Sequence, residues 1–434
     1  MNRRDFLSAT TATFGTLALR IQNAPAWQRW RVNGDRLQQH LADLAQFGRT
    51  PEGGVRRLAF SQADVEARRF CMGLMQDAGL EVRIDQVGNV IGRRAGRIPD
   101  APPIMFGSHI DTVPNGGKYD GSLGSLAAIE VAQTVEQNGY RNRHPLEAVI
   151  WCDEESGLTG SLGFVGALTP RDFERQRSDG MTVAAGIERI GGDPSHLEEA
   201  AHQPGDIAAY LELHIEQGGV LDRAGTQIGI VEGIVGIWHY DIAIEGFPNH
   251  AGTTPMDQRQ DAMLTASEIV LAVNRQVRSE PGRHVGTVGR INVEPNAPNV
   301  IPGRVTLTVE LRDLSNEKPD LLWNRIAAEA EQIARRYDTE LSYELVAEGH
   351  PALSDPGIRR EIAQAAAILG LSTRSMPSGA GHDAQVLAQI GPMGMLFVPS
   401  VNGISHSPLE HTKPEDVVNG ANVLLQTVLQ LDQG

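Results

Sequence analysis

Within the segment GSHIDTVPNGGKYDG, His109, Asp111 and Asp120 fall inside a dozen residues, the first two among apolar neighbours. Buried polar groups cost free energy unless they are paired or bound to a cation. Four more polar clusters recur along the chain: Asp153-Glu154-Glu155, His214 in LELHIEQGG, His250 in HAGTTP and His406 in GISHSPLEHT. Singly, each is weak. A histidine at a strand end is more often a hydrogen-bonded core residue, and an acidic triplet is usually a solvated loop. Together they supply His, Asp, Glu, His and His, the donors that hard and borderline divalent cations prefer. One bridging carboxylate with a histidine on each side holds two ions about 3.5–4 Å apart. That leaves Glu154, next to Glu155, to move protons.

Four of the five clusters follow a segment that reads as a buried strand. PIMFGSHI and LEAVIWC read as short buried strands, and GSLGSLAAIEVAQTVEQNGY between them (Gly121–Tyr140) reads as a helix. Arg36–Gly48 and Ser61–Leu80 also read as helices, the second with a serine cap. EVRIDQVGNVIGRRAG alternates like a hairpin. Strand, helix, strand with polar residues after each strand is an α/β sheet with its site at the strand carboxyl ends. From Gly233 the pattern changes to WHYDIAIEG, a helix from Met256, HVGTVGRINVE, RVTLTVELRD, a second helix and TELSYELV. That order, βαββαβ, predicts an inserted ferredoxin-like domain over residues 233–348, flanked by α/β segments 27–232 and 349–434.

With 54 acidic against 38 basic residues, the chain carries a formal charge of -16, which argues against binding nucleic acid. No stretch is long and apolar enough to span a bilayer. Cys71 and Cys152 form neither a metal-type pair nor a disulfide framework, and Cys152 reads as a packed thiol. The first 26 residues, MNRRDFLSATTATFGTLALRIQNAPA, resemble a twin-arginine export signal ending in a small-x-small site. The expectation is an exported or periplasmic protein without a stable membrane anchor after processing, or a cytoplasmic one if the signal does not function.

GSHIDTVPNGGKYDG, LHIEQG, NHAGTTPM, SGAGHDA and GISHSPLE together resemble the hydantoinase/carbamoylase family of metal-dependent amidohydrolases. These include N-carbamoyl-L-amino-acid hydrolases, allantoate amidohydrolases and ureidoglycolate hydrolases. The resemblance implies a zinc-peptidase-like α/β catalytic domain with an inserted α+β dimerisation lid, in a homodimer. It implies that His109, Asp120 and His214 bind one metal, that Asp120, Glu155 and His406 bind the other, and that Asp111 orients His109. Glu154 takes the role of general base and acid. It also implies that His250 reaches the partner subunit's site and polarises the substrate carbonyl. Gln217, Asn299, Arg312 and Gly381 fall at substrate-contacting positions, with Arg312 suited to grip a carboxylate. His382 reads as structural.

Two departures bear on the substrate. Family members commonly carry an arginine shortly after the acidic pair, whereas this chain reads EESGLTGSLGF. Allantoate enzymes tend to carry arginines where this chain has Trp238-His239, and an aromatic wall there favours an apolar side chain. The reading is therefore hydrolysis of the carbamoyl C–N bond of a small carboxylate, an N-carbamoyl-L-amino acid before allantoate, ureidoglycolate, an acylated amino acid or a dipeptide. Two divalent ions per subunit are implied, zinc or manganese, with cobalt or nickel also compatible. The non-enzymatic alternative, an exported solute-binding protein, requires a missing ligand or base, and all are present.

Overall fold

The computed structural model describes residues 25–98, 100–177 and 179–433. Residues 1–24, most of the expected export signal, lie outside the described residues. The chain divides into two compact units. One runs to Ile230 and resumes over Asp355–Ser375 and from Gln389 onward; the other comprises Val231–Ser354 and Met376–Ala388. The second unit thus also takes the SGAGHDA segment, which the sequence pattern had left with the α/β domain.

The first unit opens with helices α1 (Gly34–Leu44) and α2 (Gln62–Asp77). Each begins at a side chain that accepts an otherwise unpaired amide: Asn33 from Arg36 and Ser61 from Asp64. Strands β1 (Glu81–Ile84), β2 (Val90–Arg94) and β3 (Ile104–His109), helix α3 (Ser122–Gln137), and strands β4 (Leu146–Trp151), β5 (Ala209–Ile215) and β6 (Ile228–Ile234) follow. β6 carries the chain into the second unit, made of β7 (Gly236–Glu245), α4 (Ala262–Ser279), β8 (Val285–Glu294), β9 (Arg304–Asp313), α5 (Glu317–Arg336) and β10 (Glu340–Gly349). After β11 (Ala352–Leu353) come α6 (Pro356–Ile368), β12 (Thr373–Ser378), β13 (Met393–Val398) and α7 (Pro414–Leu431).

In the first unit the strands lie in the order β1-β2-β4-β3-β5-β13, with the start of β6 beyond. The central four, β4, β3, β5 and β13, are parallel to one another. Every residue of those four is buried, so β3, β4 and β13 are apolar-rich rather than alternating, while β5 also buries Glu212 and His214. Leu123, Leu126 and Val131 of α3 pack with Leu37 and Leu41 of α1 and Val417, Leu424 and Val428 of α7 in the core. Both cysteines are buried free thiols. No described helix is long and apolar enough to cross a membrane.

The second unit is the expected βαββαβ, with an antiparallel sheet ordered β10-β7-β9-β8. Trp238, Tyr240, Ile242 and Ile244 of β7 and Val305, Leu307, Val309 and Leu311 of β9 face α4 and α5. The helix expected from Met256 starts six residues later. Met256–Gln258 makes only a 3-10 turn, and Asp261 caps α4 by accepting from the amides of Met263 and Leu264 at 3.0 and 3.2 Å.

Candidate metal-binding site

Four neighbouring parallel strands deliver the polar clusters at their carboxyl ends. His109 ends β3, Asp153-Glu154-Glu155 follows β4, His214 lies near the end of β5, and His406 follows β13. Segments more than a hundred residues apart in the chain therefore meet at one edge of the sheet, where open α/β sheets bind ligands.

Two ligand groups share Asp120. His109, Asp120 and His214 form one, and Asp120, Glu155 and His406 the other, each with its ligand atoms within 4.8 Å of one another. Asp120 Oδ1 is 3.1 Å from His214 Nε2 and 3.8 Å from His109 Nε2. Its Oδ2 is 3.3 Å from His406 Nε2, which is 3.5 Å from Glu155 Oε2. The Nδ1 atoms of His109 and His214 face the backbone carbonyls of Asp111 and Ile215 at 3.0 and 2.9 Å. Each ring thereby directs Nε2, its lone-pair atom, at Asp120, and that of His214 also accepts from the Gly121 amide at 3.2 Å. Gly121 makes the approach possible: a Cβ there would lie 2.4 Å from the His109 ring, and its φ is +60°.

The donor set fits a divalent cation pair. Glu155 Oε1 is buried with no hydrogen-bond partner, an arrangement costly for a carboxylate unless a cation meets it. Burial pushes the Glu155 carboxyl up to about 7, with the Asp120 charge adding to the effect. Burial opposes charge on His109, yet the carboxylates of Glu154, Asp111 and Glu155 outweigh it and raise its pKa well above the usual value. Hydrogen bonding to Asp120 lifts His406 to about 9. Burial would raise Asp120, but hydrogen bonds from His214 and His406 hold it well below the carboxylate range. The cluster is thus a field that favours positive charge.

Glu154 belongs to neither ligand group. Its Oε2 lies 3.7 Å from His109 Nε2 of the first group, and Glu154 precedes Glu155 of the second in sequence. Asp111 does more than the sequence suggested. Its carbonyl is nearer to His109 than its carboxylate, 3.0 against 3.6 Å, and the carboxylate accepts from the amides of Glu154 and Glu155 at 3.3 and 3.2 Å. Asp111 therefore ties the β3 end to the acidic turn. Gln217 joins the cluster itself, donating to Asp120 Oδ2 at 2.8 Å.

The remaining expected site residues belong to the second unit. His250 is exposed, and the Gly252 amide donates to its Nδ1 at 3.0 Å, so Nε2 carries the proton and can donate outward. Asn299 is its neighbour, accepting from the Ala251 amide at 3.0 Å. Arg312 donates to Glu310 at 2.8 Å and to the Gly379 carbonyl at 2.6 Å, two residues from Gly381. These residues form two groups, not one. Arg312 and Arg304 are eight residues apart on β9, about 27 Å at roughly 3.4 Å per residue. The His250–Asn299 loops lie past the Arg304 end, where the Gly246 amide donates to Gly303. His382 hydrogen-bonds Ser378 Oγ at 2.9 Å. Trp238 is 1% exposed in the core of the second unit, so it cannot be the pocket wall proposed from its position in sequence.

Other contributors escaped the sequence reading. No arginine follows the acidic pair closely, but two from further along the chain contact this turn. Arg175 donates to the Ser156 carbonyl at 3.0 Å, its guanidinium over Gly157, and Arg177 donates to Asp153 at 2.7 Å. Ser405 and Glu410, inside the quoted GISHSPLEHT motif, hold Asp120.

The family model described as peptidase family M20/M25/M40 matches residues 105–430. An N-carbamoyl-L-amino acid amidohydrolase of Geobacillus stearothermophilus is 43% identical over 408 residues, covering 93% of this chain and all of that protein. The allantoate amidohydrolase of Bacillus subtilis is 34% identical over 91% of this chain and 97% of its own. A hydantoinase/carbamoylase family amidase from Burkholderia multivorans, a crystal structure, matches with a TM-score of 0.87 at 38% identity, over 93% of this chain and 99% of that one.

Proposed function

The chain belongs to peptidase family M20/M25/M40, in its hydantoinase/carbamoylase group, and from that we propose that it hydrolyses the carbamoyl C–N bond of an N-carbamoyl-L-amino acid. The observation that carries the reading is Asp120 shared between two ligand groups, with Glu154 next to His109 and outside either group. His109, Asp120 and His214 would hold one divalent ion, and Asp120, Glu155 and His406 the second, zinc or manganese being the simplest match to N and O donors. When bound, such ions polarise the scissile carbonyl and acidify the attacking water.

The chain's own residues do the rest. Glu154 takes the proton from the attacking water and returns it to the leaving nitrogen. His250 donates its Nε2–H to the carbonyl oxygen as negative charge develops there. Arg312 binds the substrate carboxylate. Two of its five N–H groups are already engaged by Glu310 and Gly379, which fixes the guanidinium plane before the substrate arrives. Addition of water yields the amino acid and carbamic acid, which falls to ammonia and carbon dioxide.

His250 and Arg312 cannot both reach one small substrate from a single second unit, so we assign the working form as a homodimer in which His250 and Asn299 serve the partner's site. With Trp238 in the core, the preference over allantoate rests on the higher identity to the carbamoylase. The deciding experiment measures ammonia release from N-carbamoyl-L-amino acids, allantoate and ureidoglycolate, and release of free amino acid from N-acetyl-amino acids and dipeptides, after metal reconstitution. Turnover confined to allantoate or to the acyl and peptide substrates would refute the assignment.

A further inference from the structure

Why does the chain bury another carboxylate next to an already acidic site? Glu410 is 4% exposed, and burial together with the neighbouring Asp120 charge raises its pKa. Its partners answer the question. Oε1 accepts from the backbone amides of Tyr119 and Asp120 at 2.9 and 3.1 Å. Oε2 accepts from Ser405 Oγ at 2.8 Å, and the same hydroxyl lies 2.9 Å from Asp120 Oδ2. One side chain thus joins the loop that carries Asp120 to the loop that carries His406, about 290 residues away. Space has been cleared for it. A Cβ on Gly117 would lie 2.1 Å from Glu410 Oε1, and Gly117 has no positive φ that would otherwise call for glycine.

An inert tie between two loops is more cheaply made with apolar side chains, because a buried carboxylate costs free energy until every donor is in place. We propose that Glu410 is a positioning residue for the metal centre: through the Asp120 amide and Ser405 it fixes the shared Asp120 carboxylate in register with His406. The proposal rests on the metal-site reading above. It acts on geometry, so an amide of the same length should serve, whereas a shorter acid should not. In Glu410→Gln the remaining carbonyl oxygen still accepts from both amides, and the NH2 group meets Ser405 Oγ. In Glu410→Asp the carboxylate falls one methylene short. Ser405→Ala removes the hydroxyl between Glu410 and Asp120 and leaves the backbone grip in place.

The test is titration calorimetry of Zn2+ or Mn2+ into chelator-stripped protein, with the thermal midpoint of the stripped protein measured alongside. Glu410→Ala and Glu410→Asp should bind the ions about 10–100-fold more weakly, as expected for residues that orient ligands. Glu410→Gln should stay within a few-fold of wild type, and Ser405→Ala should fall between. Glu410→Asp and Ser405→Ala keep the test open if the alanine variant does not fold. Wild-type affinity in Glu410→Asp, whatever its thermal midpoint, overturns the proposal, and so does an equal loss in Glu410→Gln. A wild-type protein that binds no ion would instead overturn the metal-site reading itself.

Discussion

Two nearly inactive variants should rescue one another. His250 and Arg312 stand at opposite ends of a sheet about 27 Å long, while a carbamoyl amino acid spans only a few ångströms. If both serve one substrate, His250 must come from the partner. His250→Ala removes one N–H donor to the developing oxyanion, worth about 2.7–4 kcal/mol, or roughly 10²–10³ in rate. Glu154→Gln removes the proton carrier, worth about 10²–10⁴. In a mixed dimer one site carries both lesions and the other carries neither. Random exchange of equal amounts makes half the dimers mixed, each with one intact site, so the mixture should show about a quarter of wild-type activity per chain. Each parent alone stays near or below about 1%. His250 is exposed, so its loss should not disturb folding. The assay is ammonia release at equal metal content, with mixed dimers verified by differential tags. Activity no higher than the parents' average, in material with confirmed mixed dimers, would refute the trans assignment.

Glu154→Gln should keep both metal equivalents while losing turnover, and His406→Ala should lose about one equivalent; metal analysis of the purified variants checks both, and metal loss in Glu154→Gln would reverse the roles of the acidic pair. Arg312→Lys should lower kcat/KM for carboxylated substrates by about 10–100-fold, because a point charge cannot replace a fixed planar fork; unchanged kinetics would place the carboxylate elsewhere. Burial raises the Asp64 carboxyl from 3.8 to about 6. The folded state therefore holds this proton more tightly than the unfolded one, and the stability it contributes below pH 3.8 is lost as pH rises towards 6, by on the order of 3 kcal/mol. Asp64→Asn keeps an acceptor for the Phe60 amide, so its advantage over wild type in urea unfolding should grow between pH 4 and 6 and then level off; an advantage independent of pH would contradict this. Replacing Arg3 and Arg4 with lysine should leave folded, active protein in the cytoplasm, as cell fractionation would show; normal export would exclude the twin-arginine route.

Much of the fold was legible because its signals are local. The apolar-rich segments of β3, β4 and β13 mark strands covered on both faces, and the alternation of β7 and β9 marks a sheet with one covered face. The start of α4 was misread because Met256 extends the apolar pattern, although Asp261 carries the capping signal. The ligand types were also legible. His109 and His214 sit at or near the ends of β3 and β5, Asp120, Glu155 and His406 follow β3, β4 and β13 within short motifs, and a parallel sheet brings such strand ends together.

The chain's order alone thus determined two units, a βαββαβ insertion, and a set of N and O donors at strand ends. Tertiary structure decided which side chains face which. Trp238 looked like a pocket wall in sequence, but strand pairing turned it into the core, because one residue of register chooses the face. Arg177 serves the acidic turn from 24 residues away, and Glu410 grips Asp120 from about 290 away. Such contacts leave no periodic or local mark, since they depend on where distant loops close in space. The separation of His250 from Arg312 likewise follows from β-strand length and antiparallel register, neither of which a motif records.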